Sequence, residues 1–169
     1  QFESEERATR MLLITSIGAI LLIFLLLYME FNDLKLAGIV LMNLPLALIG
    51  GVFIVYFTTG IISIASTIGF ISLFGIAARN GILLVSRYQV LQEEGLNLRD
   101  TIIEGSLDRL NPILMTALTT GLALIPLALA GGQAGNEIQS PMAIVILGGL
   151  LSSTLLNLAV IPAIYTWRK

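Results

Sequence analysis

Ile62-SIASTIGFISLFGIAARNGILLVSR-Tyr88 is 27 residues long and carries one charge, Arg79, away from its end. About 20 helical residues cross a hydrocarbon core of ~30 Å, so this stretch is long enough to span a bilayer. Its apolar residues fall on every face of a helix, unlike the single stripe of a soluble surface helix. Runs of the same kind occupy 11–29, 36–58, 112–131 and 141–167. Backbone N–H and C=O groups in lipid need partners within their own segment, so helices are the expected form. Pro45, Pro126 and Pro162 lie inside three of the runs. Spans tolerate them where neighbouring helices re-satisfy the freed carbonyl. The expected fold class is an all-α integral membrane bundle of five transmembrane helices.

Composition agrees with that reading. The chain has 169 residues, is 56% hydrophobic and 12% charged, and has a mean hydropathy of +0.94. Soluble domains carry about 25% charged residues, so half the usual solvating surface is absent. A net charge of −2 leaves no basic stripe for nucleic acid. Without Cys or His, thiolate and imidazole metal sites and Ser-His triads are excluded within this chain. No nucleophile–base set or phosphate-binding loop is visible, so enzymatic chemistry has no support and no cofactor is expected.

Orientation follows from the cations. Arg7 and Arg10 precede the first run, whereas Lys35, Arg87, Arg99, Arg109, Arg168 and Lys169 share the opposite side. Lys and Arg favour the cytoplasm, so the N-terminus is expected outside and the C-terminus inside. Residues 1–10 then form a polar external tail, the end of a missing external domain. An external start without an export signal leads to the expectation that earlier spans precede this stretch in a longer protein. In the linker 89–111, Asn97 caps a short helix at about 97–110, with Asp100 in its first turn. Leu98, Ile102, Ile103, Leu107 and Leu110 share one face, as in a helix lying in the cytoplasmic headgroup plane. Residues 131–137 read as a flexible external turn.

Arg79 is the residue with chemistry to explain. A mid-helix Arg costs about 2.5–3.5 kcal/mol on insertion scales, so it is expected to face a partner or a wet cavity. Ser72, Gly75, Arg79 and Ser86 share a helical face, as a polar seam would. No acid lies inside a run, so the carboxylate that Arg79 needs is expected in another part of the protein. Asn80 and the hydroxyls of Thr116, Thr119 and Thr120 are candidates for a bridging network around it. Gly148-Gly149 with Ser152-Ser153, and Ala77 with Gly81, are small-residue pairs that let helix backbones meet.

Gly75-Ile-Ala-Ala-Arg-Asn-Gly-Ile-Leu-Leu-Val85, Arg109-Leu-Asn-Pro-Ile-Leu-Met-Thr-Ala-Leu118 and Glu137-Ile-Gln-Ser-Pro-Met-Ala143 resemble the resistance-nodulation-division (RND) efflux permeases. With Gly148-Gly149-Leu-Leu-Ser-Ser-Thr154 they are most similar to the heavy-metal-efflux branch, the Czc and Cus type. The resemblance covers nearly the whole chain and implies the last five of twelve spans in a bacterial inner membrane. It implies a proton relay in which Arg79, Asn80 and Thr116 meet acids carried by the missing N-terminal half. It also implies a homotrimer working with a periplasmic adaptor and an outer-membrane channel. The chain departs from the family at Asn111, where Arg or an apolar residue is usual before the proline. The expected function is proton-driven efflux of heavy-metal cations. The alternatives are a multidrug-type permease and a structural bundle in which Arg79 only fixes packing.

Orientation is directly testable. A Cys introduced at Arg99 should resist a membrane-impermeant thiol reagent in intact cells, and one at Gly135 should react. Labelling at position 99 from outside would reverse the assignment.

Overall fold

The computed structural model describes residues 2–58, 60–133 and 135–166, leaving aside the side chains of 2–5, 8 and 9. Its helices are α1 Phe2–Phe31, α2 Leu34–Thr58, α3 Ile64–Glu93, α4 Leu98–Leu129 and α5 Gln139–Thr166. All five are long and apolar enough to cross a membrane, as expected from the runs. Pro45, Pro126 and Pro162 all lie within continuous helix. The expected end of the fifth span at Trp167 lies outside the described residues, as do Gln1, Thr59, Ala134, Arg168 and Lys169.

Local chemistry sets the helix ends. Asn32, at φ 47°, takes the left-handed conformation that closes α1. Asp33 Oδ1 then accepts from the Lys35 amide at 2.8 Å. Ser63 caps α3 by accepting from the Ser66 amide. Asn97 caps α4 by accepting from the Asp100 amide at 2.9 Å, as its sequence position predicts.

Helix α5 packs against α2, α3 and α4. Lipid supplies no hydrophobic force between helices, so close approach depends on small residues. A Cβ added at Gly148 would meet Ile54 of α2 and come within 2.7 Å of the Gly50 carbonyl. One added at Gly50 would run into Ser152 and the Gly148 carbonyl. Ser152 Oγ donates across this crossing to Ala47 O at 3.2 Å. Gly149 meets Leu73 of α3, and Gly81 of α3 meets Val40 of α2. The small-residue positions picked out in α3 and α5 are therefore true contacts. Gly50, the partner of Gly148, becomes evident only in the fold.

One expectation needs correction. The separate interfacial helix at about 97–110 does not form, because α4 runs unbroken from Leu98 through Pro112 to Leu129. Its first turns are fastened along the last turns of α3. Gly105 admits the Tyr88 ring, which a Cβ would meet at 2.5 Å. Tyr88 Oη and Ser106 Oγ are 2.6 Å apart, and Arg87 pairs with Asp108 at 2.7 Å. The buried side of this segment is thus Thr101 and Gly105, whereas Ile103 and Leu107 of the predicted stripe are exposed. Helix α1 begins at Phe2, so residues 2–10 are helical and continuous with the first apolar run.

The α2–α5 crossing predicts a local stability cost. Gly148→Val should destabilise the full-length protein by about 1–3 kcal/mol through overpacking. Gly18→Ala, with nothing within 4 Å of the added Cβ, should stay within about 0.5 kcal/mol. Thermal unfolding in detergent compares the two, and equal effects would contradict the close approach.

Candidate functional site: a two-arginine cleft between α3 and α4

Helix α3 presents different chemistry on its two sides. Ala77, Ala78, Gly81, Leu84 and Val85 are buried toward the bundle. Ser72, Gly75 and Arg79 are exposed on the other side, which is the polar seam read from their spacing. Arg79 stands between two clefts. One is apolar and is lined from α1 by Ile23 and Leu26 and from α3 by Gly75, Ala78, Ile82 and Leu83.

The other cleft, of about 50 Å³, is lined by Arg79, Asn80 and Leu83 of α3 and by Arg109, Pro112, Ile113 and Thr116 of α4. All three residues named as relay candidates, Arg79, Asn80 and Thr116, thus meet at one place. Asn80 is 5% exposed, and Thr116 is half-buried. The expected hydroxyl network does not form. Thr116 Oγ1 donates to Pro112 O at 2.8 Å, and Thr119 Oγ1 donates to Met115 O at 2.7 Å. Each hydroxyl serves the helix that carries it, as Thr often does in a span.

Arg109 also lines the site, although the sequence assigns its charge only to orientation. Its Nε is buried and makes no hydrogen bond. The signal was present in the spacing: Arg109, Pro112 and Thr116 lie at i, i+3 and i+7, one face of a helix. Placing a helix boundary at 111 hid it. Asn111 is exposed and is not among the residues lining the cleft.

Neither Arg79 nor Arg109 makes an ion pair with any described residue. Two guanidiniums at one cleft repel each other in a medium of low dielectric, and both favour a planar carboxylate. The arrangement is therefore suited to holding an acidic group supplied from beyond these five helices. The described residues contain no cluster of His, Cys, Asp and Glu able to hold a metal.

Residues 1–168 match the model of the AcrB/AcrD/AcrF family. The chain belongs to that family. It is 42% identical to the cobalt-zinc-cadmium resistance protein CzcA of Cupriavidus metallidurans, over 97% of this chain and 15% of that protein. It is 34% identical to the cation efflux system protein CusA of Escherichia coli O157:H7, over 98% of this chain and 17% of that one. A crystal structure of a heavy metal efflux pump superposes with a TM-score of 0.87 at 36% identity, covering 99% of this chain and 16% of the pump. The resemblance to RND permeases of the heavy-metal branch therefore holds. Together with the five apolar helices, it makes this a multi-pass membrane protein, and the chain spans about one-sixth of the length of the relatives it matches.

The hydroxyl geometry yields a prediction. Because Thr116 Oγ1 is satisfied within α4, Thr116→Val should cost less than about 1 kcal/mol of stability in the full-length protein. A larger loss in thermal unfolding would mean that the hydroxyl holds a partner outside its own helix.

Proposed function

We propose that this chain is part of the membrane domain of a proton-driven RND exporter that moves heavy-metal cations out across the bacterial inner membrane. The observation that carries this reading is the cleft in which Arg79 and Arg109 stand beside Asn80 and Thr116 with no acidic partner among the described residues. The metal cargo is proposed from what the relatives CzcA and CusA are named for. The remaining five-sixths of such a protein would hold the acids of the relay and the substrate-binding domains. The complete permease would act as a homotrimer with a periplasmic adaptor and an outer-membrane channel.

Arg keeps its proton at physiological pH, so neither arginine releases one. Their role is that of fixed cations. With a guanidinium close by, a buried carboxylate favours its ionised form and its pKa falls. When the guanidinium withdraws, desolvation dominates, the pKa rises and the acid takes up a proton. Proton occupancy then biases the spans between two packings, and the external domains follow. Asn80, buried beside Arg79, offers an amide that can donate to the carboxylate or accept from its protonated form.

The test is proton-coupled export by the full-length protein at matched membrane abundance, with Zn²⁺, Co²⁺ and Cd²⁺ offered in turn. Arg79→Ala should abolish export while insertion is preserved, and Arg79→Lys should retain part of it. Thr116→Ala should cost less, because it removes no charge. Wild-type export by Arg79→Ala would leave Arg79 as a packing residue and sink the relay.

A further inference from the structure

Asn43 of α2 and Asn157 of α5 are 1% and 0% exposed. The Asn43 Nδ2 donates to Asn157 Oδ1, and also to the carbonyl of Ala77 on α3 at 3.4 Å. One side-chain amide thereby ties three helices together at a single level. Two atoms of the pair are left over, the acceptor Asn43 Oδ1 and the donor Asn157 Nδ2. Both are buried without a hydrogen-bond partner. A pair that merely fastened helices would gain by using them, since a half-satisfied buried network is costly. The unused donor and acceptor are complementary, so a shifted packing of α2 on α5 can pair them.

The third helix in this contact is where the proposed chemistry lies. Ala77 stands two residues before Arg79 on α3. Gly81, at the other end of the same turn, lies against α2, where an added Cβ would come within 3.0 Å of Val40 Cγ1. Val40 and Asn43 are three residues apart and share a face of α2. The turn 77–81 is therefore seated on α2 along its inner side, while Arg79 projects outward into the cleft with Arg109 and Thr116.

We propose that Asn43 and Asn157 are a positioning pair for Arg79. They set where the Arg79 turn sits on α2 and α5, so that a change in α2–α5 packing moves the guanidinium within its cleft. This rests on the proton-relay reading of Arg79, and its failure is separable from that of the relay.

The experiment uses the full-length protein in proteoliposomes with an imposed proton gradient and Zn²⁺, Co²⁺ or Cd²⁺ as cargo. Asn43→Leu keeps the volume and removes the amide. It should lower turnover roughly 3- to 30-fold with the KM for the transported cation unchanged. Combined with Arg79→Lys, its effect should be far from additive, which a purely structural contact at a distance would not produce. Wild-type turnover in Asn43→Leu, together with an inactive Arg79→Ala, would overturn the positioning role and leave the relay standing. Active Arg79→Ala, or a wild-type protein that moves none of the three cations, would remove both. If Asn43→Leu does not accumulate, Asn43→Ser is measured instead. Failure of both to accumulate would mark the pair as a folding contact and overturn the proposal.

Discussion

Where Gly50 of α2 meets Gly148 and Ser152 of α5, there is room for a hydrogen atom and nothing larger. In water, such a crossing could be held by burying leucines on either side. In lipid, leucine gains nothing by leaving the acyl chains, so dispersion between close backbones and a few polar bonds must hold the helices together. The bond from Ser152 to Ala47 O and the bond between the two asparagines both occur along this α2–α5 contact. Helix α3 lies against the same pair, with Gly149 receiving Leu73 and Gly81 receiving Val40.

That packing decides which way Arg79 points. Once the small face of α3, with Ala77 and Gly81, is committed to α2 and α5, the face with Ser72, Gly75 and Arg79 must turn outward. Helix α4 then reaches Arg79 because its beginning is fastened to the end of α3 by Tyr88, Ser106, Arg87 and Asp108. The exposed ion pair is worth little in stability by itself. With the Tyr88–Ser106 bond it joins the start of α4 to the end of α3, the two helices whose Arg79, Arg109, Pro112 and Thr116 line the cleft. The site is thus assembled at the edge of a three-helix seat, and its open side is where a further partner can approach.

The same logic explains the sparse burial of α1 and α4. Leu27 and Phe31 are the buried hydrophobic residues of α1, and Ile113 is that of α4, among the described residues. Most of their surface is hydrocarbon that lipid or further protein can cover equally well. Both clefts that touch Arg79 open on this side of the bundle. A cation needing an acid and an uncovered helix face lie together, which is the arrangement expected of half an intramembrane charge site.

The amino-acid sequence alone determined the spans, their number, the Asn97 cap, and the anomaly of an arginine without an acid. These follow from local rules, namely the length of apolar runs and the energy of a charge in hydrocarbon, which do not depend on neighbours. It also marked Gly148, Gly149, Ala77 and Gly81 as contact positions, though not what they touch. The tertiary structure decided the continuity of α4 through Pro112, whose preceding turns lie against Tyr88 of α3. Only the fold revealed Arg109 as a member of the cleft and Asn43 as the partner of Asn157. An amide in an apolar run has no assigned mate until helices distant in sequence are packed, and the two asparagines here are 114 residues apart. Periodicity gives the face of a residue, whereas its neighbours depend on which small residues let two backbones meet.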